Sequence, residues 1–310
     1  MAKKLIMLMM ICTMFIVGCG SNQQSGLKQE IPEAKYTEAG VGIKGTVTED
    51  GTVILTYALV GVKNNIIEYL YLDQIEQNPQ SDRHIFTNKE LQNAYGLSYT
   101  SDYGEWYQQV DVLETYILGN NMTLEDVKSI PTYEKDEKNK MVPKKDSDLG
   151  VACELDIANF IDVIDMAFAN LQDVEAMRLA VGEDVRINKK NNEVDVQLAF
   201  VGTDYRYKIS FAHLETYEIK AETDIEIVSN RERAEGDEQY RAWNNDMSNF
   251  EKYIVGLNIN EAIGVEVYDP GNGVDLALPK KGTDLSERCS IDLYKTILAL
   301  REVSDRLENQ

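Results

Sequence analysis

Histidine and cysteine are scarce in this chain. Its 310 residues include two histidines, His84 and His213, and four cysteines, with no CxxC pair and no Cys/His cluster. This argues against a structural zinc site, and no metal ligand set is expected. No GxSxG, HExxH or Walker motif occurs, so no hydrolytic or nucleotide-cleaving mechanism and no catalytic residue is assigned. Basic residues are in deficit too. Lysine and arginine number 31 against 53 acids, for a net charge of −22. Such a chain repels nucleic acid and anionic head groups and favours cationic partners. After Val17 there is no second long hydrophobic run.

The N-terminus carries the clearest address. Lys3 and Lys4 precede an apolar run from Leu5 to Val17 that is too short to span a bilayer but suits a signal-peptide core. The run ends Ile16-Val17-Gly18-Cys19, which is similar to a bacterial lipobox. Residues 1–18 are therefore expected to be a lipoprotein signal peptide, with a diacylglyceryl anchor on Cys19 and residues 19–35 as acylated cysteine and flexible tether. The alternative is an ordinary secretory signal with a chance cysteine. Loss of residues 1–18 removes two lysines and no acid, which takes the charge from −22 to −24. The acyl anchor, rather than a basic patch, would then hold the protein on the extracytoplasmic face of the membrane.

The rest of the chain reads as one stretch written twice. Trp106–Gly119 (WYQQVDVLETYILG) matches Trp243–Gly256 (WNNDMSNFEKYIVG) at an offset of 137. Pro143–Ile157 (PKKDSDLGVACELDI) matches Pro279–Leu293 (PKKGTDLSERCSIDL) at 136. Val53–Gly61 (VILTYALVG) matches Val194–Gly202 (VDVQLAFVG) at 141. The period suits a whole domain rather than a solenoid unit. Two α+β modules are expected, at 36–172 and 173–310, each with strands first and helices later. Module one should place strands at Gly40–Thr48, Val53–Val60 and Ile66–Ile75, with turns at Asp50-Gly51 and Lys63–Asn65. Helices follow at Tyr103–Leu118, Met122–Lys128 and from Asp156 to Leu171, with Lys135–Lys145 as a charged loop. Module two should repeat this order. Its strands are expected at Asp184–Asn188, Val194–Gly202, Tyr205–Leu214 and Thr216–Val228, its helices at Gln239–Val255 and from Asp292 to about Leu307, and a turn at Asp269–Gly273.

Several residues recur at equivalent places. Trp106 and Trp243, the only tryptophans, are expected to anchor the long helix of each module on its sheet, though an indole is also a platform for a flavin ring. Asp156 and Asp292 read as helix caps. Cys153 and Cys289 read either as small buried apolar residues or as a pair bridging the modules. Gly40-Val-Gly-Ile-Lys-Gly45 fits GxGxxG but opens a strand instead of a helix, so close backbone packing is the better reading.

Thr87–Gly119 and Asp148–Phe168, with the order lipobox, tether, module, module, resemble the Gram-positive surface lipoproteins with tandem FMN-binding domains. That family serves extracellular electron transfer and is sometimes named for a pheromone peptide cut from its signal sequence. The resemblance implies an antiparallel sheet with helices packed on it, and FMN joined by a phosphoester to a Ser or Thr just before the last helix. It also implies a flavin transferase or membrane dehydrogenase as partner. The matching stretches are Asp148–Glu154 and Asp284–Ser290. The resemblance therefore points to Asp148, Asp284 and Ser290, whereas Glu154 offers no hydroxyl, so the attachment motif has diverged. The expected function is an accessory in flavin-based electron transfer. The alternative is a non-catalytic envelope binding module for a protein or cell-wall partner, its cofactor lost.

Overall fold

The strand β2 (Val53–Lys63) is buried along almost its entire length, although its neighbours run antiparallel to it. An antiparallel strand normally alternates between core and solvent, so burial on both faces means that both are covered. Val53, Leu55, Tyr57 and Leu59 point into one core, and Ala58, Val60 and Val62 into another. In β8 (Glu193–Thr203), Val194, Val196, Leu198 and Phe200 join the first of these cores, and Ala199 and Val201 enter a third.

The computed structural model describes residues 32–81, 86–222, 227–271 and 275–310. The expected signal peptide, Cys19, nearly all of the tether, His84 and part of the Asp269–Gly273 turn lie outside these residues. The chain begins with β1 (Tyr36–Val47), β2 and β3 (Ile66–Gln77). There follow α1 (Asn88–Leu91), α2 (Trp106–Gly119), α3 (Leu124–Lys128), a ribbon of β4 (Thr132–Tyr133) with β5 (Val142–Pro143), and α4 (Ala158–Ala169). A short strand, β6 (Gln172–Ala176), pairs with β1, and at Met177 the chain crosses to a second sheet. The order then recurs: β7 (Arg178–Asn188), β8, β9 (Ile209–Lys220), α5 (Asn230–Arg233), α6 (Glu238–Ile254) and α7 (Ile259–Ile263). The ribbon of β10 (Val267–Tyr268) with β11 (Leu278–Pro279) and the helix α8 (Tyr294–Glu308) complete it. The sheets run β3-β2-β1-β6 and β7-β8-β9. They share the middle core and so pack face to face, with helices on each outer side, and residues 34–310 form four layers: helix, sheet, sheet, helix. The fold is mixed α+β with antiparallel sheets, in line with the expected class.

The helices form as their apolar spacing requires. Trp106, Val110, Leu113 and Ile117 bury one face of α2, and Ile297, Leu300, Val303 and Leu307 one face of α8. Each closing helix lies directly on backbone. A Cβ on Gly42 would stand 1.9 Å from the Val163 carbonyl oxygen, and one on Gly182 would stand 2.0 Å from that of Ala299. Gly40 and Gly42 of the GxGxxG stretch thus serve close packing, because no side chain fits beneath the helix, while a Cβ on Gly45 would meet the Ile227 side chain.

Some expected boundaries move. The two strands expected over Tyr205–Leu214 and Thr216–Val228 are the single strand β9. The break comes earlier, where Asp204 Oδ1 accepts from Arg206 N (2.7 Å) and Lys208 N (2.9 Å) and ties a turn. β7 begins at Arg178, six residues before the expected start, because its whole length pairs with β8. α2 starts at Trp106, three residues late, because Glu105 and Gln108 form its capping box. Asp156 sits one residue outside the cap position of α4 and still accepts from Ala158 N (2.8 Å), as Asp292 does from Tyr294 N (3.0 Å). The charged stretch Lys135–Lys145 contains β5 and is closed by Asp136, which accepts from Lys138 N and Asn139 N.

Candidate functional site

Each half contains the same polar shelf. In the first, Thr87-Asn88-Lys89-Glu90 opens α1 with a capping box: Glu90 N donates to Thr87 Oγ1 (3.2 Å) and Thr87 N to Glu90 Oε2 (2.9 Å). In the second, Ser229-Asn230-Arg231-Glu232 opens α5 the same way, at 3.1 and 2.6 Å. The cation of each motif turns inward onto a glutamate of the long helix. Lys89 Nζ meets Glu114 Oε1 at 2.8 Å, and Arg231 Nη2 meets Glu251 Oε1 at 2.8 Å. The same glutamate oxygen accepts from strand backbone, from Leu72 N at 2.5 Å and Leu214 N at 2.7 Å. A strand acid completes each shelf. Asp73 Oδ1 accepts from Lys89 N (3.1 Å), and Glu215 Oε1 accepts from Arg231 Nε (2.9 Å). Two residues before that acid stands Tyr71 in one half and His213 in the other. The Tyr71 hydroxyl donates to Asp73 Oδ2 (3.1 Å), and His213 Nε2 lies 3.0 Å from Glu215 Oε1.

Electrostatics separate the shelves. Burial, with the Glu183 charge adding, raises Asp73 to about 7 against the opposing pull of Lys89. Burial alone would raise Glu215, but the His213 hydrogen bond and the charges of His213 and Arg231 outweigh it and leave its pKa lowered. Glu114 and Glu251 are both raised by burial, with Lys89 and Arg231 opposing.

The two shelves end differently. The contacts of the closing helices fix which residues correspond: Gly42 meets Val163 and Ala167 as Gly182 meets Ala299 and Val303. Ile43 therefore stands where Glu183 stands, Met166 where Glu302 does and Asn170 where Arg306 does. Over the first shelf, Arg306 Nη1 donates to Tyr71 Oη (2.9 Å), Val181 O (3.0 Å) and Glu183 Oε1 (3.1 Å). Its Nη2 pairs with Glu183 Oε2 (2.8 Å) and Glu302 and lies 4.0 Å from Glu90. Its guanidinium carbon lies 5.2 Å from the Tyr71 ring centre. The site is sealed. Over the second shelf, Asn170 Nδ2 donates to Val41 O (3.1 Å), the counterpart of the Arg306–Val181 bond, and reaches no further. Ile43 and Met166 leave an open cleft of about 500 Å³, lined across from them by His213, Glu215, Tyr217, Ser229, Arg231 and Glu232. Glu215 is 5% exposed, and its Oε2 is buried with no hydrogen-bond partner. A second difference lies behind α5: Phe160 packs on Trp106, whereas its counterpart Thr296 leaves a hollow of about 260 Å³ beside Trp243 and Asn230.

The residues expected from sequence to carry function lie elsewhere. Ser290 is exposed, and its N and Oγ both donate to Asp246 Oδ2, at 2.8 and 2.6 Å. Glu154 N donates likewise to Gln109 Oε1 (2.8 Å). A phosphoester on Ser290 would press a phosphate against the carboxylate that now takes its proton, so Ser290 does not fit an attached FMN. Asp148 and Asp284 are exposed in the loops ahead of Cys153 and Cys289. Trp106 is buried against Tyr95 and Phe160, and Trp243 is partly buried at the equivalent place. Cys153 and Cys289 are free, buried thiols, both raised to about 11 by burial. They belong to the two outer cores on opposite sides of the molecule, which rules out the bridge between modules. The shelf itself escaped sequence reading. Its signal was present, since TNKE and SNRE are both S/T-x-x-E capping boxes with a cation third. Comparison with protein-family models, with curated proteins and with solved structures returns no match.

Proposed function

We propose that this chain is a lipid-anchored, extracytoplasmic binding protein built from two diverged copies of one α+β module, and that its ligand site is the open cleft between β9, α5 and the end of α4. One observation carries this reading. The same shelf occurs twice, and only over the copy without a plugging side chain does the space stay open, as a cleft of about 500 Å³ floored by Glu215, Arg231 and Glu232. The charged groups beneath the cleft are committed to one another, which suits recognition better than turnover. The recurring element order and the quoted blocks support descent from a tandem FMN-binding-like scaffold. The commitment of Ser290 to Asp246 speaks against flavin attachment there.

The test has three arms. Cys19→Ala should abolish partition of the processed protein into the detergent phase of Triton X-114. Coexpression with a flavin transferase should yield a colourless protein; a covalent flavin lost in Ser290→Ala would restore the electron-transfer reading. Amide NMR titration with amino acids, polyamines, peptides, cell-wall fragments and FMN should shift resonances around His213, Ser229 and Arg231. If none of these ligands moves that cluster, the binding reading fails.

A further inference from the structure

Resting on that reading, we infer that the cleft recognises a guanidinium group, the side chain of an arginine. The sealed shelf shows what this architecture holds, because there the occupant is a guanidinium supplied by the chain itself. Arg306 is received by a strand carbonyl, by buried carboxylate and by an aromatic face. The open shelf keeps counterparts of the carbonyl and the ring, and in place of Glu183 and Glu302 it offers the carboxylates of Glu232 and Glu215. Val41 O corresponds to Val181 O, and Asn170 uses one of its two lone pairs. Glu232 corresponds to Glu90, which lies 4.0 Å from Arg306. The His213 ring takes the place of the Tyr71 ring. Glu215 lies at the floor of the cleft, its Oε1 turned to Arg231 and His213.

Charge selects a cation. Among the described residues, Arg231 is the one basic side chain lining the cleft, apart from His213. Its donors are already committed: Nε to Glu215, Nη1 to Asn244 and Ser248, and Nη2 to Leu214 O and Glu251. It has nothing left for an anion, whereas the Glu232 carboxylate at the rim, beyond its one bond to Ser229 N, presents negative charge. Shape then selects guanidinium over ammonium. A planar fork can bridge a carbonyl and a carboxylate while its face lies on a ring, as Arg306 does, and a compact ammonium cannot. Ile43 and Met166, the apolar replacements for Glu183 and Glu302, give the methylene stem a wall to lie on.

Nα-acetyl-arginine methylamide serves as the probe, with the lysine and citrulline analogues as controls. The protein is the full chain lacking its leader and Cys19, followed by calorimetry and amide NMR. The arginine probe should move the His213–Glu215 and Ser229–Arg231 resonances and bind at least about tenfold more tightly than either control. Free L-arginine and a Gly-Gly-Arg-Gly-Gly peptide separate the sources: equal affinity assigns a small solute, and tighter peptide binding assigns an arginine-bearing chain. The combined variant Ile43→Glu, Met166→Glu, Asn170→Arg rebuilds the plug. It should abolish arginine binding while keeping the wild-type melting profile, which distinguishes occlusion from misfolding. Equal binding of lysine or citrulline overturns the inference. So does cleft binding of another ligand in the panel with arginine inert, an outcome that leaves the cleft standing as a site. If no ligand of any class binds, both readings fail.

Discussion

Over the first shelf an arginine bridges two glutamates and a tyrosine; over the second, the corresponding places hold asparagine, isoleucine and methionine, and the space stays open. Backbone, capping boxes and the ion pairs below are alike in both. Three side chains thus decide whether one geometry is sealed or left open. A sealed charge cluster is costly to desolvate and is held by its own completeness. Burial and the Glu183 charge push Glu302 up to about 9, while Arg306 stays charged, its burial outweighed by Glu183, Tyr71 and Glu302.

Breaking the close helix contact should have the largest effect and tests the equivalence directly. Gly42→Val and Gly182→Val each drive a side chain into a helix carbonyl. Each should cost at least about 3 kcal/mol or prevent folding, judged by urea denaturation. A large difference between the two would mean that the halves are less alike than their contacts.

Next comes the plug. Arg306→Met leaves Glu183 buried without its cation and should cost about 3–5 kcal/mol. Asn170→Ala removes one hydrogen bond at the rim of an open cleft and should cost about 1 kcal/mol. Equal costs in chemical denaturation would erase the distinction between the sealed and the open shelf.

The pH profile sharpens the contrast further. An acid whose folded pKa is raised is penalised once it is charged, so stability should fall as pH rises. The fall runs from 3.8 to about 7 for Asp73 and from 4.5 to about 9 for Glu302. Melting temperature should therefore decline from pH 5 to 9, and Glu302→Gln should flatten the alkaline part of that decline. A wild-type profile that rises over this range would remove the assigned cause. The smallest effect is expected at the surface. Ser290→Ala deletes an exposed bond to Asp246 and should change stability by less than about 1 kcal/mol in thermal denaturation.

Much of the scaffold was legible in the sequence, and the reason is periodicity. The blocks ending at Gly119 and Gly256 lie on α2 and α6, and those ending at Ile157 and Leu293 lead into α4 and α8. The glycines at 40 and 42 were rightly read as packing sites. What failed was local or long-range. β9 was split because a turn tied by the Asp204 side chain was placed too late. The shelf was invisible because its residues come from three elements and its plug reaches Tyr71 from Arg306, 235 positions away. In so acidic a chain, neither Glu215 nor Glu183 stands out until the fold covers one with Arg306 and leaves the other at the floor of an open cleft.

The middle core has a consequence for ancestry. Leu55, Tyr57 and Leu59 pack in the same cluster as Val196, Leu198 and Phe200, so a lone copy would present a bare apolar sheet face to water. A single-copy forebear would therefore have had to exist as a two-fold pair, its interface self-complementary and its two recesses identical by symmetry. Joining such a pair through β6 would lift that constraint, leaving one recess free to close as a clasp while its twin stays open.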